Sequence, residues 1–329
     1  MFKILLAEDD DFLRLTTQTL LELQGFQVFA YSDGQLALEA FASVSPDMVI
    51  SDINMPELDG YGLLDGIRQL SEGEVVPFLF LSARSERGDV THARELGADD
   101  YIFKPFEPEE LVAAVQARLE RRRVAELFDT RQAHLQTIVL LANVIEARDA
   151  HTRGHVERVR AYALELGQAL NWHPDELVIL EYGALLHDIG KVSIPETVLN
   201  KPSSLTPEEL VIIRSHTTAG AKIIEGITHL REALPYILYH HEKWDGTGYP
   251  NGLKGEAIPK QGRLLALADV YDALTSDRSY HKGMKFEDAL DSIRREAGTH
   301  FDSQMAEVFV RIQQEKLQVT SSRRSIGTM

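Results

Sequence analysis

The chain has 329 residues, 44% of them hydrophobic, enough for two domains of ordinary size with full cores. A net charge of −17 makes it a poor candidate for general nucleic-acid binding, and the absence of cysteine excludes disulfides, thiolate metal sites and iron–sulfur clusters. No apolar run approaches membrane-spanning length, and acid arrives at Glu8, too early for a signal peptide, so a cytoplasmic protein with no membrane span and no DNA partner is expected.

The charge is uneven. Residues 1–117 hold 7 Lys and Arg against 22 Asp and Glu, whereas residues 118–329 hold 27 against 29. Histidine is skewed the other way: only His92 precedes residue 118, and eleven follow it.

In chain order, Lys3 to Ala7 is an apolar run with the length of a buried strand, followed by Glu8-Asp9-Asp10-Asp11 and a helical pattern that Gly25 stops. Phe26 to Tyr31 reads as a second strand and Leu36 to Phe41 as a second helix. Met48 to Ser51 is a third strand ending on Asp52, Val75 to Leu81 a fourth ending on Ser82, and Tyr101 to Phe103 a fifth ending on Lys104. Leu111 to Leu119 is helical. Strands alternating with helices predict an α/β doubly wound, five-stranded parallel sheet with its site at the carboxyl ends of the strands. Those ends carry Glu8, Asp9, Asp52, Ser82 and Lys104. Three carboxylates at one edge invite a hard divalent cation such as Mg²⁺, and a lysine and a hydroxyl beside them suit phosphoryl oxygens. One acid there would only cap a helix; five matched residues ask for more.

Residues 1–120 resemble a response-regulator receiver domain, flavodoxin-like in fold. The resemblance rests on Glu8-Asp9, on Asp52-Ile53-Asn54-Met55-Pro56 with Asp59-Gly60, on Ser82-Ala83 and on Lys104-Pro105-Phe106. It implies that Asp52 accepts a phosphoryl group from a histidine kinase. Glu8, Asp9 and the carbonyl of Asn54 would hold Mg²⁺, Ser82 and Lys104 would contact the phosphoryl group, and Tyr101 would be the aromatic switch. Glu8 departs from the commoner Asp.

Residues 121–143 form a predicted linking helix without Gly or Pro, with apolar residues near heptad spacing and Arg121-Arg122-Arg123 as a solvated face. A parallel coiled-coil homodimer is expected of it.

Residues 144–314 read as an all-α domain and residues 315–329 as a disordered tail. Its candidate ligands are His155, His187, Asp188, His216, His240, His241 and Asp269, each in or beside an apolar helical pattern. A lone histidine in such a place is usually a satisfied core residue; five with two aspartates are not. Neutral imidazole and carboxylate suit Fe, Mn, Zn, Ni or Co, and more than four ligands suggest at least two metals, a clamp suited to in-line attack on a phosphodiester. His187 and Asp188 are neighbours, roughly 100° apart on a helix, so they reach one place only where the helix end presses into a bundle.

This half resembles an HD-GYP domain, the HD phosphohydrolases that hydrolyse cyclic dinucleotides. The pieces are Glu146-Ala147-Arg148-Asp149 with Thr152 and His155, His187-Asp188-Ile189-Gly190-Lys191, Asn200-Lys201-Pro202, His216 with Gly220, His240-His241-Glu242, Asp245-Gly246-Thr247-Gly248-Tyr249-Pro250, and Ala268 to Thr275 around Asp269. The resemblance implies a cyclic di-GMP phosphodiesterase giving pGpG and, with a second cut, GMP. Asp188 would bridge two metals, the other six ligands would complete them, and a bridging hydroxide would attack. Lys191 would touch a scissile phosphate oxygen, and Arg278 would contact substrate. Tyr249 and Trp244 are candidates to stand beside a base, with ordinary loop packing an equal reading. Ser279 and His281 depart from the usual Pro and basic residue.

Two other readings stay open: a scaffold binding a cyclic dinucleotide or a diguanylate cyclase without turnover, and a phosphodiesterase for another cyclic dinucleotide. In three-metal members a glutamate stands four residues before the first ligand histidine. Here that place is His151, so two metals are expected.

Overall fold

The computed structural model describes residues 1–71, 73–83, 99–149, 154–277 and 282–326. Two compact units divide it, Met1–Arg131 and Gln132–Met329.

In the first unit the described elements are β1 (Lys3–Ala7), α1 (Asp11–Leu23), β2 (Gln27–Tyr31), α2 (Gly34–Val44), β3 (Met48–Asp52), α3 (Gly60–Arg68), β4 (Phe78–Ala83) and β5 (Asp100–Lys104). The sheet is parallel throughout, in the order β2-β1-β3-β4-β5. The alternation of side chains along each strand splits the core between two faces. Ile4, Leu6, Ile50 and Leu79 pack toward Leu111, Val115 and Leu119; Leu5, Val49, Phe78 and Phe80 pack toward Phe41, Leu63 and Ile67. Acidic caps start the helices: Asp10 accepts from Leu13 N, Asp33 from Leu36 N and Asp59 from Gly62 N. Capping thus falls to these three residues, whereas Lys104 engages Glu8 and Asp52.

A single helix, α4 (Pro108–Glu146), begins in the first unit and ends in the second. The second unit then carries α5 (His155–Ala169), α6 (Pro174–Leu186), a 3₁₀ turn (Ile189–Ser193), α7 (Glu196–Leu199), α8 (Pro207–Arg214), α9 (His216–Ile224), α10 (Leu234–Tyr239), α11 (Lys260–Thr275), α12 (Phe286–Arg295) and α13 (Ser303–Ile326). α6 is the buried centre, apolar around its last two turns through Leu180, Ala184, Leu185 and Leu186. Its start is set by a capping box between His173 and Glu176 with Pro174 in the first turn.

One expectation is corrected. The segment from 315 continues α13 as far as Ile326. Gln, Glu, Lys and Arg are good helix formers, and no Gly interrupts the chain between Gly298 and Gly327.

Candidate functional site

In the first unit the register sets Ala7 beside Ser51, Asp52 beside Leu81 and Ala83 beside Lys104. Glu8, Asp52, Ser82 and Lys104 therefore emerge at one edge. Lys104 Nζ donates to Glu8 Oε2 at 2.7 Å and to Asp52 Oδ2 at 2.6 Å. Glu8, Asp9 and Asp52 offer oxygens within 4.8 Å of one another. Glu8 is fully buried, and among the described residues its Oε1 has no hydrogen-bond partner. Burial pushes its carboxyl up to about 7 against the pull of Lys104. An orphaned buried carboxylate oxygen beside two more acids fits Mg²⁺, which would satisfy it. Ser82 is buried at the same edge, Tyr101 is half-buried with its ring edge-on to Phe103 at 5.3 Å, and Asn54 is exposed two residues past Asp52.

In the second unit five helices deliver the seven candidate ligands. His155 opens α5; His187 follows α6; His216 opens α9; His240 and His241 follow α10; Asp269 lies within α11. The helix α6 stops at Leu186, and Asp188 begins the 3₁₀ turn at φ −95° and ψ 9°. That break aims both members of the His187-Asp188 pair into the bundle, where both are buried.

The ligands fall into two groups. His155, His187 and Asp269 have donor atoms within 4.8 Å of one another, as do His216, His240 and His241, and a third set, His187, Asp188 and His240, joins the two. Asp188 lies between them. Its Oδ2 is 3.4 Å from His187 Nε2 and 3.9 Å from His155 Nε2, while its Oδ1 is 3.4 Å from His216 Nε2.

Four histidines are oriented by bonds at Nδ1. His187 donates to Ala184 O at 2.8 Å, His216 to Ile213 O at 2.7 Å and His240 to Ile237 O at 3.0 Å. His155 Nδ1 meets Asp272 Oδ2 at 2.7 Å. Each Nε2 therefore faces the site, where a bound metal would take its lone pair. Burial, joined by neighbouring imidazoles, holds His240 well below its ordinary value, and burial, helped by His216 and His187, outweighs the pull of Asp269 and Asp188 to bring His241 to about 3. Both are neutral and ready to ligate at neutral pH. Burial opposes charge on His187 too, but Asp188 and Asp269 outweigh it and raise the ring to about 9. The two aspartates therefore create a negative field that a cation would neutralise. Oriented imidazoles, two aspartates and that field fit a pair of divalent transition metals.

Lys191 Nζ lies 2.8 Å from Asp188 Oδ2 and 2.9 Å from Asp149 Oδ2. Burial works against its charge, yet the two aspartates hold the ammonium above its ordinary range. Gly190 makes this placement possible: a Cβ there would lie 1.8 Å from His216 O, so only glycine lets the turn sit on α9. A cavity of about 420 Å³ opens over the ligands, walled on one side by Leu199, Leu205 and Ile213.

Tyr249 lines that cavity, but its ring stacks on His241 at 4.8 Å, and the Arg214 guanidinium sits 5.1 Å from its centroid. Trp244 lies against Arg263 instead, 5.7 Å from ring centre to guanidinium. His151, Thr152, Arg278, Ser279 and His281 lie outside the described residues.

Sequence reasoning assigned no role to Asp272, Asp149 or Glu242. Asp272 orients His155 and also binds Arg158. It stands three residues after Asp269 on one helix face, a spacing that could have revealed it. Asp149 holds Lys191. Glu242 accepts from Asn251 N at 2.7 Å and Leu253 N at 3.0 Å, closing the loop that carries Tyr249.

Against protein-family models, residues 4–116 match the response regulator receiver domain and residues 139–305 match the HD domain. The chain belongs to the response regulators that join a receiver domain to an HD domain. Relatives match this receiver–HD protein along most of its length. A Vibrio cholerae protein named "Probable cyclic di-GMP phosphodiesterase" is 36% identical, over 93% of this chain and 77% of its own. A Thermotoga maritima protein named "Cyclic di-GMP phosphodiesterase" is 31% identical, over 95% and 90%. The "Cyclic di-GMP phosphodiesterase response regulator RpfG" of Xanthomonas campestris is 31% identical, over 87% and 80%. Among the described residues no helix is long and apolar enough to cross a membrane.

Proposed function

We propose that this chain is a cytoplasmic response regulator whose HD domain hydrolyses cyclic di-GMP to pGpG and, with a second cut, to GMP, under control of phosphorylation at Asp52 by a histidine kinase. The observation that carries the hydrolase reading is the position of Asp188, one oxygen toward His155 and His187 and the other toward His216. In this reading Asp188 would bridge two divalent ions, with His155, His187 and Asp269 holding one and His216, His240 and His241 the other; Fe, Mn, Ni and Zn all suit these donors. Bound there, the pair supplies Lewis acidity and activates water for in-line attack.

The chain's own residues supply the rest. Lys191, tethered by Asp149, keeps a positive charge beside the scissile phosphate, where negative charge grows in the transition state. Tyr249 braces His241 through their stacked rings and closes one wall of the cavity. The apolar wall of Leu199, Leu205 and Ile213 suits the flat faces of bases and sheds water from the cavity. In the receiver, Glu8, Asp9 and Asn54 would hold Mg²⁺, Ser82 and Lys104 would take the phosphoryl oxygens, and Tyr101 would relay the change. Arg278 is carried as a substrate contact on the family resemblance.

The deciding experiment is incubation of the metal-loaded protein with cyclic di-GMP and mixed cyclic GMP-AMP, with products separated by chromatography. Release of pGpG supports the reading. Tight binding without products would make the chain a scaffold, and preference for the mixed dinucleotide would change its substrate. Exposed Val124, Leu127 and Phe128 on α4 support self-association as a homodimer, which sedimentation tests.

A further inference from the structure

The cavity over the metal ligands is lined by a second lysine, Lys243, whose charge the pairings described so far do not use. It differs from Lys191 in one respect. Lys191 is bound by two carboxylates, whereas Lys243 makes no ion pair or side-chain hydrogen bond with any described residue, although Asp245 is near enough to feel its charge. It is half-buried. A lysine on a cavity wall that no described carboxylate binds is placed to meet an anion that enters the cavity.

Its backbone is held from three sides. Lys243 follows His240, His241 and Glu242, and Glu242 ties the loop closed through Asn251 N and Leu253 N. The next two residues pair with another segment: Trp244 N donates to His300 O at 2.9 Å and Asp245 N to Thr299 O at 2.8 Å. Gly248 packs on the same backbone so closely that a Cβ would lie 2.3 Å from Lys243 N. The position of this cation at the wall is therefore built in, and only its flexible stem remains to adjust.

A cyclic dinucleotide carries two phosphodiesters on opposite sides of one ring. When one lies at the ligand groups around Asp188, the other must lie across the cavity, still charged and losing water. Beyond the candidate ligands, the described wall offers it the apolar Leu199, Leu205, Ile213, Val270 and Ala273, Tyr249 stacked on His241, and His300, whose Nδ1 is engaged by Glu296 at 2.9 Å; Lys243 is the cation among them that no described carboxylate binds. We infer that Lys243 holds the non-scissile phosphate of the cyclic dinucleotide and so selects a substrate with two phosphodiesters. The inference rests on the function proposed above and adds the second anchor.

The test compares two substrates on the metal-loaded full-length chain: cyclic di-GMP, and bis(4-nitrophenyl) phosphate, which has a single diester. In Lys243→Met, kcat/KM for cyclic di-GMP should fall about 10- to 100-fold, as for loss of one charge-assisted hydrogen bond, mostly through KM. That loss should exceed the loss on the single diester at least tenfold, and Lys243→Arg should recover most of it. Metal content equal to wild type in each variant keeps misfolding apart from lost recognition. Equal losses on both substrates, or no loss on cyclic di-GMP, overturn the assignment of Lys243 alone. Wild type that cleaves only the single diester overturns the proposed substrate and this assignment with it.

Discussion

Asp272 Oδ2 stands 2.7 Å from His155 Nδ1, fully buried, while its other oxygen accepts from Arg158 Nε. One carboxylate therefore fixes the ring of a candidate metal ligand and is itself fixed by a guanidinium. Asp272→Asn removes the carboxylate charge that stands behind His155 and beside Arg158. Metal affinity should fall about 10- to 100-fold, the usual cost of removing a partner behind a ligand histidine. Competition against a chromophoric chelator measures it; unchanged affinity would show that Asp272 serves folding only.

Asp188 lies between the two candidate ligand groups, one oxygen toward each. Asp188→Ala should abolish hydrolysis of cyclic di-GMP, while the receiver still takes up phosphate from a small-molecule phosphodonor at Asp52. The chemistry of each unit rests on its own residues, so the two activities separate. Turnover retained in an Asp188→Ala protein of verified metal content would place the reaction elsewhere.

Lys191 should matter to the rate more than to binding. Lys191→Ala removes a charge beside the scissile phosphate, and kcat should drop on the order of 10²- to 10³-fold with a smaller change in KM. It also leaves Asp149, buried and bonded to Lys191 at 2.9 Å, without this ammonium. A thermal melt beside the kinetics separates that structural cost from the catalytic one.

Lys104 spans Glu8 and Asp52 at 2.7 and 2.6 Å, so a phosphoryl group on Asp52 must break into an existing ion pair. It adds up to about two negative charges and can bias the protein only through contacts that differ between two states. Phosphorylation should raise the phosphodiesterase rate about fivefold or more, near the lower end of ordinary coupling between sites, and Asp52→Ala should not respond. Identical rates with and without a phosphoryl analogue would assign the receiver to partner choice or placement.

Two metals per chain are expected in the HD domain. The two acids just before His155 are already engaged: Asp149 binds Lys191 Nζ at 2.9 Å, and Glu146 accepts from Gly154 N at 2.9 Å and Val156 N at 3.2 Å. His151 offers one neutral nitrogen and no charge. Elemental analysis of anaerobically prepared protein should find two transition-metal ions, unchanged in His151→Ala. Three ions in the wild type, falling to two in that variant, would establish a third site.

The sequence by itself determined the inventory. Strand length and alternation are local properties, so the receiver sheet and its row of Glu8, Asp52, Ser82 and Lys104 could be read from the chain, because a parallel sheet in register must bring strand ends to one edge. The seven candidate HD ligands could be proposed from residue type and apolar context, and the structure buries or half-buries them around one cavity. The helix α3 was not, because Gly60, Gly62 and Gly66 weaken its local signal and burial of Leu63, Leu64 and Ile67 stabilises it instead. Only the tertiary structure decided how the ligands divide, since His155 and Asp269, far apart in the chain, share a group through the packing of α5 and α11. It also decided which lysine is neutralised: Lys191 and Lys243 both flank ligand motifs, but carboxylates meet only one of them among the described residues. Pairing across a bundle depends on long-range packing, which no local pattern of residues encodes.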